Sequence, residues 1–145
     1  MHPRTAELLD EFAPDHKRVY VGATTESYFE LLAAEWQVPG DLVIVEQDNA
    51  LRADVLPSFH ACESMWCGFP YPIGANDLVC LGMTRFRDAL KIAEPDLLEI
   101  VGQDGTGGLP PKVWQRLDIR ILEELHHRGY EQHAHLPVTE HFHKY

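Results

Sequence analysis

The chain predicts an α/β fold, a single domain built on a mostly parallel mixed sheet, and three observations carry that prediction. Leu42-Val43-Ile44-Val45 is a purely apolar, β-branched run of strand length. Before it come the helix-spaced apolar residues Tyr28, Leu31, Leu32 and Trp36, and before those a short run at Arg18–Val21. That strand–helix–strand order favours parallel pairing through a right-handed crossover. The length of 145 residues, with 45% hydrophobic and 24% charged side chains, suits one soluble globular core.

Taken in order, residues up to about Lys17 read as a loosely attached polar lead-in with a short helical stretch near Leu8-Leu9. Arg18–Val21 reads as a strand and Gly22–Thr25 as the turn after it. Ser27 is placed to cap the first main helix, which Pro39-Gly40 closes ahead of the Leu42–Val45 strand. A second helix is expected over Ala53–Ala61, with Val55, Leu56 and Phe59 inward. Trp66–Asn76 reads as strand edge and loop, and Leu78–Leu81 as a short buried strand. Thr84 is expected to cap a helix from Arg85 to about Ala93. Gly102–Pro111 reads as a glycine-rich loop, followed by a helix from about Lys112 to Arg128 that ends at Gly129. Two extended segments, Tyr130–His135 and Val138–His143, flank Pro137.

A formal charge of −11 argues against broad electrostatic binding to nucleic acid or anionic membranes, while leaving room for an anionic substrate held through a metal ion. No apolar run is long enough to cross a bilayer, and Met1-His2-Pro3-Arg4 lacks the apolar core of a signal peptide, so a cytoplasmic location is the default expectation. The odd set of three cysteines, Cys62, Cys67 and Cys80, suits reduced thiols. Cys62 and Cys67 could supply half a zinc site, but they read first as two small buried residues beside Trp66. Trp36, Trp66 and Phe69-Pro70-Tyr71 are candidates for either the core or a homo-oligomer interface.

The chemistry-bearing residues lie at strand ends. Glu46-Gln47-Asp48 follows the apolar strand directly. Extended backbone would put both carboxylates on one face, at the sheet edge where α/β proteins bind ligands. Such oxygen donors with an imidazole suit Mn²⁺ or Mg²⁺ better than structural zinc. Six of the nine histidines fall between His126 and His143. His133 and His135 share one face of an extended chain, as do His141 and His143, with Phe142 directed to the core. His126 and His127 are accounted for by a helix C-terminus. Asp118, in the helix after the Gly107-Gly108 loop, is either an ion-pair partner for Arg116 or Arg120 or a general base.

In this order the pieces resemble the inverting nucleotide-sugar glycosyltransferases of the GT-A fold. Val43-Ile44-Val45-Glu46-Gln47-Asp48 occupies the place of the family's Asp-x-Asp metal motif, with Glu in the first position. Leu81-Gly82-Met83-Thr84-Arg85-Phe86-Arg87 matches its small-residue strand and aromatic-basic segment. Gly107-Gly108, Asp118, Leu122, Arg128 and Gly129-Tyr130 look like its acceptor loop, acidic base and following pattern, with Leu117-Asp118 in place of the usual Glu-Asp pair. The resemblance runs from about Asp41 onward, and only one strand–helix unit precedes the acidic triplet.

The resemblance implies a GT-A-like three-layer sandwich abbreviated at the N-terminus. Glu46, Asp48 and His141 or His143 would hold Mn²⁺ or Mg²⁺ on a nucleoside-diphosphate sugar, with Asp118 as base toward an acceptor hydroxyl. Gln47, Gly107, Gly108 and Trp114 would line the donor and acceptor. Two other readings compete: a non-catalytic sugar- or protein-binding module of the same fold, and a metal-dependent hydrolase using the histidine-rich tail with Glu46 or Asp118 as base. The hydrolase lacks an HExxH motif.

Overall fold

Leu42–Val45 forms strand β1 in the computed structural model. It joins Met83–Phe86 (β5), Trp66–Gly68 (β2) and His133–Ala134 (β6) in a four-stranded mixed sheet of order β1-β5-β2-β6. β2 and β6 run parallel, with Cys67 opposite His133 and Gly68 opposite Ala134. Tyr71–Ile73 (β3) and Asn76–Leu78 (β4) form a separate antiparallel pair. The structure describes residues 1–21, 24, 26–73, 76–78, 81–103, 117–140 and 142. The chain divides into two compact units: Met1–Arg18, Val43–Arg85 and Gln132–Tyr145 in one, Val19–Leu42 and Phe86–Glu131 in the other.

In the first unit, Pro3–Phe12 forms helix α1. Pro3 stands in its first turn, where a missing N–H costs nothing, and the His2 imidazole accepts from the Arg4 N–H to cap it. This segment is not the loose lead-in expected. Thr5, Leu8 and Leu9 are buried, and both leucines belong to the core with Leu51, Val55, Phe59, Cys67, Phe69 and Met83. Val55–Ala61 (α3) starts two residues later than expected and buries Val55 and Phe59. Burying each such side chain stabilises the fold by about 1.5–3 kcal/mol. Trp66, Phe69 and Tyr71 lie in the core too.

Thr84, expected as a helix cap, instead lies in β5, where Met83, Thr84, Arg85 and Phe86 are all buried. β5 is an interior strand of the sheet, and all four of its residues are buried, so no polar–apolar alternation marks it in the sequence. The anticipated Arg18–Val21 strand does not form. Val19, Tyr20 and Val21 are exposed, while the Arg18 guanidinium binds the Asp10 carboxylate and the His16 imidazole. The parallel pairing therefore comes from β2 and β6, not from a crossover into β1.

In the second unit, Ser27–Trp36 (α2) buries Phe29, Leu32 and Trp36, a face turned toward Phe29 from the one expected, and Ser27 is its first residue, with Glu26 as N-cap. Asp88–Ala93 (α4) and Leu97–Val101 (α5) follow, and the Trp36 indole N–H donates to the Glu94 carbonyl at 3.0 Å. Leu117–His127 (α6) buries Leu117, Ile121 and Leu125. Residues 112–116 of the expected helix lie outside the described residues. Gly129 takes φ +87°, and the Tyr130 N–H closes the helix end on the Leu125 carbonyl at 2.9 Å. Arg128 then bonds the carboxylates of Glu94, Asp96 and Glu124 at 2.5, 2.7 and 2.7 Å.

Candidate functional site

β1 stops at Val45, and the next four residues turn. The Glu46 N–H donates to the Gly82 carbonyl at 2.8 Å, and the Asn49 N–H donates back to the Glu46 carbonyl at 3.2 Å. The extended alternation that put Glu46 and Asp48 on one face therefore ends before it reaches them. Burial still alternates: Glu46 and Asp48 are half-buried, and Gln47 between them is exposed. Asn49 is fully buried, and its Oδ1 has no hydrogen-bond partner among the described residues.

Two distant segments hold this turn. The His2 N–H donates to the Gln47 carbonyl at 2.9 Å, and the Phe142 N–H donates to the Asp48 carbonyl at 2.8 Å. The Ala50 N–H donates to the Glu140 carbonyl at 2.9 Å, so the residues on either side of His141 are both tied to the acidic turn. Phe142 packs against the core cluster, as its position between two histidines predicted. His141 and His143 themselves lie outside the described residues, as do Gly107, Gly108 and Trp114. Beside the turn runs an open groove of about 500 Å³ lined by Arg4, Leu51, Arg52, Glu140 and Phe142 among others. The Arg52 guanidinium is oriented by Asp54 at 2.9 and 3.0 Å and lies 5.1 Å from the Phe69 ring centre. Asp54 is held below the usual carboxylate range chiefly by that hydrogen bond.

The turn thus sets two half-buried carboxylates, Glu46 and Asp48, beside the buried Asn49 amide. Asp118 belongs to the second unit, in the first turn of α6. Its Oδ1 accepts the Ile119 N–H at 2.8 Å, a favourable place for a carboxylate at a helix N-terminus.

A different group of donors was only half anticipated. Cys62, His133 and His135 bring one ligand atom each within 4.8 Å of one another. The two histidines share a face, as the two-residue spacing implied. Cys62 joins them because α3 ends there and β6 pairs with β2 in a register that sets His133 opposite Cys67. Cys62 is only half-buried, so the expectation of two buried cysteines holds for Cys67 alone. The signal available in the sequence was the Cys-rich Cys62–Cys67 segment together with His-x-His, but nothing local linked them.

The environments of these groups differ. Burial raises the Cys62 thiol, but Ser64, Cys67 and the Arg85 charge outweigh it and leave the thiol below its ordinary value. Burial pushes Cys67 up to about 12. His135 is lowered by burial and by the charges of His133 and Arg85. Comparison of the chain with protein-family models, with curated proteins and with solved structures finds no match.

Proposed function

We propose that this chain is a metal-dependent glycosyltransferase of GT-A-like fold, moving a sugar from a nucleoside-diphosphate donor to an acceptor hydroxyl with inversion. The observation that carries the reading is the bond from the Phe142 N–H to the Asp48 carbonyl, which with the Glu140–Ala50 bond ties the His141 segment to the acidic turn. A metal site built from Glu46, Asp48 and one of His141 or His143 requires that association.

In this reading Glu46 and Asp48 bind the cation through oxygen, and the exposed Gln47 lies between them at the donor. Glu46 and Asp48 would hold Mn²⁺ or Mg²⁺ there, and the ion would supply Lewis-acid stabilisation of the leaving diphosphate. Arg4 and Arg52, in the adjoining groove, supply two further positive charges suited to phosphate oxygens. Asp118 is assigned the proton from the attacking hydroxyl. Gly107 and Gly108 allow backbone to approach the donor, and Trp114 offers a face to a sugar ring.

The test is thermal stability against nucleoside diphosphates and nucleotide sugars, with and without Mn²⁺. A true donor at about a hundred times its dissociation constant adds roughly 2.7 kcal/mol. The shift is expected to need both Mn²⁺ and one nucleotide and to vanish in Asp48→Asn. No shift with any donor replaces this reading with a binding module that lacks transfer chemistry.

A further inference from the structure

We infer that Cys62, His133 and His135 form a zinc-binding site, separate from the acidic turn and independent of the glycosyltransferase reading. Their ligand atoms already lie within 4.8 Å of one another. Around a tetrahedral zinc, with bonds of about 2.3 Å to sulfur and 2.0–2.1 Å to nitrogen, donor atoms stand roughly 3.3–3.7 Å apart.

Each donor is carried by a fixed piece of the first unit. Cys62 ends α3, its N–H donating to the Phe59 and Ser58 carbonyls. His133 sits in β6, paired with β2 at Cys67. The His135 N–H donates to the Gly68 carbonyl at 2.9 Å. The His135 ring is stacked on Phe69, with centroids 4.9 Å apart, and meets the Phe59 ring edge-on at 5.8 Å. These contacts set the plane of the imidazole yet leave one atom unexplained. Nε2 of His135 is buried without a hydrogen-bond partner among the described residues. A buried ring nitrogen with nothing to bond is unfavourable, and a metal ion resolves it.

The donor set names the metal. One thiol and two imidazoles form a soft-to-borderline set that selects zinc over Mn²⁺ or Mg²⁺, the ions suited to Glu46 and Asp48. Three protein donors leave a fourth position, and His133 is exposed, so that position is open to water or to a small ligand.

The test uses the full chain stripped with chelator and titrated with Co²⁺, and with Zn²⁺ against a chromophoric chelator. The expected result is one Zn²⁺ held tightly per chain and, with Co²⁺, a thiolate charge-transfer band together with the strong visible bands of tetrahedral geometry. Cys62→Ser abolishes the charge-transfer band, and His133→Ala weakens Zn²⁺ on the order of 100-fold. Because His133 is exposed, its variant keeps the test decisive even if the Cys62 variant fails to fold. Asp48→Asn leaves Zn²⁺ binding unchanged. Unchanged Zn²⁺ affinity in His133→Ala, or a Co²⁺ complex without the thiolate band, overturns the assignment.

Discussion

The imidazole of His2 stacks on the ring of Phe142, with centroids 4.3 Å apart and planes inclined by 15°. The backbone N–H groups of the same two residues hold the carbonyls of Gln47 and Asp48. One ring pair thus ties together the two segments that grip the acidic turn. Phe142→Ala is expected to cost about 1–2 kcal/mol, less than a fully buried Phe because the ring is only partly covered. Combined with His2→Ala in a double-mutant cycle, it should show a coupling of about 0.5–1.5 kcal/mol in urea unfolding. Strict additivity would mean that the stack contributes nothing.

Arg128 anchors an acidic cluster whose response to pH has a definite sign. Its hydrogen bonds hold Glu94 and Asp96 below their ordinary values of 4.5 and 3.8, with the Tyr130 hydroxyl adding to the effect on Glu94. Carboxylates depressed in the folded state stabilise it above those ordinary values, and the stabilisation fades as pH falls through the folded ones. Arg128→Met is therefore expected to lose about 1–2 kcal/mol at pH 7, a modest figure because solvent screens part of the cluster. The deficit should shrink steadily below pH 4. Urea midpoints of both proteins at pH 7 and pH 3 check this, and an equal deficit at the two values would assign the loss to packing.

Gly82 lies under a ring. A Cβ at this position would stand 2.5 Å from Tyr71 Cε1 and 3.0 Å from Asn49 Nδ2, and the Gly82 carbonyl already receives the Glu46 N–H. Gly82→Ala is expected to destabilise by about 1–3 kcal/mol through overpacking. If the acidic turn binds Mn²⁺ as proposed, the variant should also weaken that binding, since it pushes on Asn49 beside Asp48. Pairing it with Tyr71→Leu, which removes the closest atom, should recover part of the loss in thermal unfolding.

Asp118 separates two roles within one side chain. Asparagine also accepts a hydrogen bond at a helix N-terminus, so Asp118→Asn should stay within about 0.5–1 kcal/mol of the parent in thermal unfolding. If Asp118 is the base, the same variant loses sugar transfer while keeping Mn²⁺-dependent donor binding, because an amide cannot take the proton. Transfer at the parental rate would remove Asp118 from the mechanism.

What could be read from the sequence was what neighbouring residues decide. β1 is an unbroken apolar run, α6 buries Leu117, Ile121 and Leu125 at helical spacing, and Gly129 ends it in the left-handed region. α1 carried a readable signal, Thr5-Leu8-Leu9-Phe12 at helical spacing, obscured by the charged residues between them. Thr84 misled because Thr serves both as a helix cap and as a strand residue, and β5 is an interior strand paired with strands distant in sequence. The Cys62–His133–His135 group was beyond local reading for the same reason: it depends on the register of β2 with β6. The acidic turn was found by its strand, but its clamp between residues 2 and 142 is a purely long-range relation.

That clamp also sets a clock. Ribosomes extend a chain from residue 1 at roughly 5–20 residues per second, so Gln47 and Asp48 emerge on the order of ten seconds before Phe142 exists to hold them. β2 waits in the same way for β6. Every segment of the second unit, by contrast, is synthesised by Glu131. The acidic turn and Cys62 are thus completed by segments translated long after them, and a nascent chain halted at Glu131 carries Glu46, Asp48 and Cys62 without the partners that hold or join them.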